Sequence, residues 1–268
     1  MTDTALDEAG KYDFFGHPAG LSTLFFTEMW ERMSYYGMRA LLVLFMTLSM
    51  QEGGLGITVA SATAIYGVYT GAAYFMGLPG GWIADRLIGS QMAVWYGGII
   101  IMSGHVLLAI PNDNTFFIGL ILVVLGTGLL KPNIGAMVGQ LYSLEDERRD
   151  AGYTLYYMGI NLGSIIGYLV CGWLQLNAGY HWAFGAAAVG MGLGLVQFRL
   201  TLYKLNGQGS IPTQPLSTVA HRNSKIAILA SVVMLCVVTI LMLSGSISVN
   251  PVTLAQYVAI TITAVFLA

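Results

Sequence analysis

Apolar residues run along this chain in long blocks, and the polar residues between them fall in short clusters. The blocks cover about residues 21–50, 57–84, 91–111, 115–141, 151–176, 180–203, 225–246 and 251–268. Each is long enough for a helix to cross a ~30 Å hydrocarbon layer, which takes roughly 17–25 residues. Barrel strands are excluded, because they need alternating polarity rather than unbroken apolar runs. The breaks fall at 51–56, 85–90, 111–114, 142–150, 177–179, 204–224 and 245–251. Asn112-Asp113-Asn114 after Pro111 and the Asn250-Pro251 pair are turn signals. The seventh run stands apart, because the segment before it holds Lys204, Pro212, Pro215 and Arg222 and is the best boundary in the chain.

Composition agrees with eight crossings. Of 268 residues, 56% are hydrophobic and 9% charged, against roughly 25% charged in soluble proteins. Mean hydropathy is +0.71. The net charge of −2 leaves no basic footprint for nucleic acid. Cys171 and Cys236 both sit in apolar runs and are expected as free thiols. Residues 1–20 are polar with no apolar core, so they read as a tail rather than a cleaved signal. Lys11, Arg86, Arg148, Arg149, Arg199, Lys204, Arg222 and Lys225 all fall on one side if the crossings alternate. The opposite turns hold no Lys or Arg. By the positive-inside rule the N-terminus is cytoplasmic and the number of crossings even.

The remaining basic residues lie inside spans, where a charge costs at least about 2.5–3.5 kcal/mol and marks a functional site by default. The first span carries Glu28, Glu31, Arg32, Tyr35, Tyr36 and Arg39. Those spacings put all six on one helical face. The simpler reading is an ion-pair ladder that only joins helices. The sharper one is that Glu28 and Glu31 exchange protons while Arg32 and Arg39 grip an anionic group, for which the planar guanidinium fork is suited.

Lys131 is followed by Pro132, which removes a backbone donor and loosens the helix there. It either snorkels to a membrane surface or meets a glutamate or an anionic ligand. Asp85 and Arg86 end the second span as either a helix-end latch or a solvated turn. Tyr157, Asn161 and Ser164 are spaced to form one polar stripe on the fifth span, and Asn161 is too deep for an interfacial role. His17, His105 and His181 are given no chemistry. No nucleophile–base pair or metal cluster stands out, which disfavours an enzyme.

The sequence Glu28-Met29-Trp30-Glu31-Arg32-Met33-Ser34-Tyr35-Tyr36-Gly37 resembles the ExxERFxYYG motif of proton-coupled oligopeptide transporters, in the major facilitator superfamily. Met33 replaces the usual phenylalanine. The stretch 80–89 is similar to that family's first signature. Lys131-Pro132-Asn133 and Gly159-Ile160-Asn161-Leu162-Gly163 are similar to its fourth- and fifth-helix motifs. The resemblance covers about residues 15–200.

The resemblance implies an all-α integral membrane fold: a major facilitator N-terminal six-helix bundle over 21–203, then a cytoplasmic linker over 204–224. An accessory transmembrane helical hairpin would follow over 225–268. The second six-helix bundle would be missing from this chain. Glu28, Glu31, Arg32 and Lys131 would couple protons. Arg39, Tyr35, Tyr36, Tyr74, Lys131, Tyr157 and Asn161 would bind peptide, and Asp85 and Arg86 would form a conformational latch. Gly67 stands where mammalian members carry a proton-linked histidine, which implies the bacterial-type scheme. The implied function is import of di- and tripeptides by symport with protons through alternating access, in the inner (plasma) membrane. Its partners would be peptides, protons, lipid and the missing bundle, with no cofactor, metal or nucleic acid. A carrier of another anionic solute such as nitrate, or a non-transporting membrane scaffold or receptor half, are the alternatives.

Overall fold

The computed structural model describes residues 14–267, with side chains as far as residue 260. Most of the expected tail, 1–13, lies outside the described residues, as do the side chains of 261–268. Within the described residues the regular elements are helices: α1 (Gly20–Thr47), α2 (Val59–Phe75), α3 (Gly77–Ile83), α4 (Ser90–Ala109), α5 (Asp113–Gln140), α6 (Arg149–Ala178), α7 (Tyr180–Thr201), α8 (Thr218–Leu243) and α9 (Pro251–Leu267).

These bounds follow the apolar blocks, with two corrections. The second block is divided: α2 stops at Phe75 and α3 restarts at Gly77, inside the run Gly77-Leu78-Pro79-Gly80-Gly81. Glycine and proline both weaken a helix interior. At the other end, residues 218–224, expected in the linker, form the first turns of α8. Ser217 caps that helix, its hydroxyl accepting from the Ala220 amide at 3.5 Å, and such a cap starts a helix regardless of hydropathy.

Helix α1 packs on α6 and α7, α4 on α5 and α7, and α3 on α5. Small residues set these distances, as expected where lipid provides no hydrophobic drive between helices. A Cβ on Gly163 of α6 would collide with the Met29 carbonyl of α1 and stand 3.0 Å from Arg32 Cβ. A Cβ on Gly80 would collide with the Gly128 carbonyl of α5. That carbonyl is four residues before Pro132, the residue whose missing N–H leaves it without a helical donor. Helix α5 nevertheless continues through Pro132. The Asn133 amide supports it there, donating to Leu129 O at 2.6 Å and to Gly80 O of α3 at 3.3 Å.

Two apolar clusters fill the bundle. One surrounds Leu42, Phe45, Leu108, Phe116 and Phe184 near the C-terminal end of α1. The other surrounds Leu24, Ile101, Leu130, Met191 and Phe198 near its N-terminal end. The charged stripe of α1 lies between them. Five described helices are long and apolar enough to cross a membrane by length and composition: α4 to α8, with α7 continued to Leu205. The apolar run of α1 is interrupted by its charges, though the helix itself is continuous, and α2 is shortened by the break at Met76. Both cysteines are free, Cys171 buried and Cys236 exposed.

Candidate functional site

Glu28, Glu31 and Arg32 lie one helical turn apart on α1, so a single short segment brings their side chains together. All three are buried. Arg32 Nε meets Glu28 Oε1 at 3.1 Å and also bonds Glu31 Oε2. Glu31 Oε1 and Arg32 Nη2 are buried without a hydrogen-bond partner. The guanidinium carbon of Arg32 also lies over the rings of Tyr35, at 5.0 Å, and Tyr36, at 5.9 Å. Cation–π contact is strongest where water is excluded. Two carboxylates and one guanidinium thus share a dry knot at the middle of α1.

Arg39, two turns further on, is outside that knot. Its Nε donates to the Tyr66 hydroxyl of α2, and its guanidinium carbon lies 5.4 Å from the Tyr66 ring and 5.9 Å from that of Tyr35. Lys131 of α5 reaches the Tyr74 ring of α2, with Nζ 4.4 Å from its centre. It lies within electrostatic reach of Glu31, but the two ion pairs of the buried knot both belong to Arg32. The half-buried lysine therefore rests on an exposed aromatic ring of a neighbouring helix.

Helix α6 has two faces. Its glycine face, with Gly159, Gly163 and Gly167, meets α1. Tyr157, Asn161, Ser164 and Tyr168 lie on another face, where Tyr157 and Asn161 are exposed. The Asn161 amide donates to the Tyr157 carbonyl at 3.0 Å, and Ser164 donates to the Asn161 carbonyl at 2.8 Å. Tyr168 reaches the Tyr36 ring, 5.9 Å between centroids. The candidate residues thus divide into a buried knot and a more open set carried by α1, α2, α5 and α6.

The sequence offers Tyr66 and Tyr156 as well, but its spacing assigns neither a role. Tyr66, Thr70, Ala73 and Tyr74 share one helical face of α2, so period 3.6 was the available signal for Tyr66. Tyr156 is buried on α6 beside Glu28, close enough to interact with its carboxylate. Only its neighbour Tyr157 stood out in the stripe.

Asp85 and Arg86 lie in a π-turn, Ala84–Ile88, between α3 and α4. The Asp85 bonds go to the segment after α7, with Thr213 Oγ1 at 3.0 Å from Oδ1 and the Gln214 amide 2.9 Å from its carbonyl. A separate cavity of about 800 Å³ opens at the far end of the bundle, among Phe45, Glu52, Asp113, Gln175, Tyr180 and His181. None of the candidate residues lines it.

The family model described as PTR2, POT family, matches residues 91–262. The chain belongs to the POT family. It is a multi-pass helical membrane protein of that family, which comprises transporters rather than enzymes. It is 43% identical over 274 residues to the peptide transporter YePEPT of Yersinia enterocolitica, covering 97% of this chain and 53% of that protein. A di-/tripeptide transporter of Lactococcus lactis is 45% identical over 216 residues, 78% of this chain and 43% of that one. The crystal structure of a peptide transporter POT in complex with sulfate superposes with a TM-score of 0.86 at 41% identity, covering 97% of this chain and 55% of that chain. The POT chain described here spans about half the length of the curated relatives it matches.

Proposed function

We propose that this chain is the first half of a proton-driven symporter for di- and tripeptides. It would sit in the plasma membrane with its N-terminus in the cytoplasm, and α8 and α9 would be an accessory hairpin outside the six-helix bundle. The observation that carries the reading is the unequal charge of the buried knot. Glu28 and Glu31 face a single guanidinium, so the ionised trio has one negative charge in excess. Isolated charge is costly in the low-dielectric interior. One proton on either carboxylate balances the trio, and Lys131 offsets the excess at longer range.

The open set suits the other substrate. Arg39 offers a guanidinium fork for a carboxylate, and Lys131 adds a second cation. Asn161 offers an amide that both donates and accepts. Tyr36, Tyr74 and Tyr157 supply aromatic walls with polar tips, and Tyr35 sits between Arg32 and Arg39. Fixed polar groups would hold the constant ends of a short peptide while the walls tolerate varied side chains. A second bundle would complete the site and rock against this one. The names of the Yersinia and Lactococcus relatives support peptide as the cargo.

Glu31→Gln in the complete transporter, reconstituted in proteoliposomes, tests the coupling role. Gradient-driven dipeptide uptake should fall at least roughly tenfold, the effect of about 1.4 kcal/mol on a rate barrier. Dipeptide exchange without a gradient should fall much less. Equal loss of both assigns Glu31 to binding or folding. Accumulation of another solute, with no movement of labelled dipeptide, overturns the peptide reading.

A further inference from the structure

The bonds to Asp85 belong to a longer seam. After α7 a short 3₁₀ turn ends at Leu205, which is fully buried. Asn206, Gly207 and Gly209 then take left-handed backbone angles, with φ of 48°, 80° and 74°. They fold the segment into a compact strap, held by bonds from Gln208 N to Leu205 O at 2.9 Å and from Ser210 N to Gly207 O at 3.1 Å.

That strap lies across the turn between α3 and α4. Helix α4 has no side-chain cap, because Gly89 precedes it. Its Gln91 amide donates instead to Gly209 O at 2.9 Å, and the Gln91 side chain donates to Gln208 O at 2.8 Å. A carbonyl from the strap thus satisfies one of the orphan donors that begin every helix. Gly89 has a φ of +81°, and a Cβ there would lie 2.8 Å from Gly209 O. The strap backbone occupies the place of a side chain. On the other side of the same turn, Thr213 and Gln214 hold Asp85.

The attachment is polar and water-accessible. The Gln91 side-chain bond and the Thr213–Asp85 bond are both exposed, and Ile211 in the middle of the strap is 75% exposed. Exposed hydrogen bonds exchange readily with water and contribute little net. Leu205 is an apolar anchor, Gly209 lies close to Ser90 and the buried Met137, and the side-chain bonds of the strap are cheap to break. That combination describes a strap hinged at one end.

The geometry points to residues 206–215 as a clasp on the Asp85 turn that opens and closes during the transport cycle, linking the start of α8 to the movement of the bundle. This rests on the transport reading, because the opening is assigned to the rocking of two bundles. The test is hydrogen–deuterium exchange on the complete transporter in nanodiscs, with and without dialanine, for the wild type, Thr213→Val and Thr213→Ser. Dialanine should change exchange of the 206–216 amides by about fivefold, the scale of one net hydrogen bond. Thr213→Val should speed exchange at Gln91 and Gln214 without peptide and shift the rate of dialanine counterflow about two- to fivefold. Its half-saturating concentration should stay unchanged. Thr213→Ser, which keeps the hydroxyl, should match the wild type. Strap exchange that ignores dialanine, or valine and serine variants that behave alike, overturns the clasp. If the wild type shows no dialanine counterflow, the peptide reading fails instead, and the valine–serine contrast in peptide-free protein still decides whether the clasp exists.

Discussion

Helices α1 and α8 are nearly equal in length, 28 and 26 residues, and opposite in every other respect. The most apolar 18-residue stretch of α8 has a mean hydropathy of 3.0, and none of it is buried in protein. Helix α1 carries Glu28, Glu31, Arg32 and Arg39 through its middle, and the first three are buried. In water the greasier helix would be the inner one. In a bilayer the lipid is as apolar as leucine, so apolarity gives α8 no reason to seek protein neighbours. Charges must be enclosed and small residues permit close contact, so α1 becomes the centre of the bundle. Burial here follows polarity and side-chain size.

The contact between α1 and α6 is the place to break that arrangement. Gly163→Ala drives a methyl into the Met29 carbonyl, which as backbone in a packed helix has little room to move. The expected loss is about 3 kcal/mol, the upper end for overpacking. It should appear as a lower melting temperature in detergent and poorer yield of folded protein. Gly172→Ala on the same helix meets nothing within 4 Å and should change stability by no more than about 0.5 kcal/mol. Equal effects from the two alanines would mean that helix propensity, and not the α1 contact, is what the glycines serve.

A smaller effect separates the two helices by packing alone. Leu42 of α1 is fully buried and Leu229 of α8 is 65% exposed. Leu42→Ala leaves a cavity and should cost about 2 kcal/mol, the lower part of the soluble range, because lipid removes much of the water-transfer contribution. Leu229→Ala exchanges contact with lipid for contact with lipid and should stay within about 0.5 kcal/mol. Thermal denaturation of both variants in matched lipid nanodiscs measures the difference. A large loss at Leu229 would reveal a protein partner covering α8.

The stripe on α1 was legible because local spacing alone assembles it: residues 28, 31 and 32 meet within one turn of one helix. The helix bounds were legible for a similar reason, since hydropathy follows the chain residue by residue. The break at Met76 was written in Gly77 and Pro79, but a hydropathy reading passes over it. The start of α8 at Thr218 depends on the Ser217 cap, which polar composition disguises as linker. What spacing could not reveal was partnership over long separations. Nothing near Arg39 points to Tyr66, and nothing near Asp85 points to Thr213, 128 residues away. The exposure of Asn161 was hidden too, because it depends on which face of α6 the α1 backbone selects through Gly163.

The two regions differ finally in their acids. From residue 218 onward there is no Asp or Glu, while the bundle's connections hold several, Asp146 among them. Between α5 and α6 the Arg148 guanidinium donates to both Asp146 oxygens, at 3.1 and 2.9 Å, and the Arg148 amide adds a bond at 3.0 Å. Arg148 also donates to Gly16 O at 3.0 Å, which ties this loop to the segment before α1. These bonds favour the ionised carboxylate and hold Asp146 below the usual aspartate value. A depressed carboxyl contributes stability that is present above its unfolded value near 3.9 and is lost as pH falls through the lower folded value. The pair sits in a surface loop, with Arg148 largely exposed, so solvent screening keeps the contribution small. Melting temperature followed from pH 6 down to pH 3 should therefore fall slightly more steeply for the wild type than for Asp146→Asn. Parallel curves would show that the Arg148 pair adds nothing to the fold, and that acid acts on the bundle through its buried carboxylates.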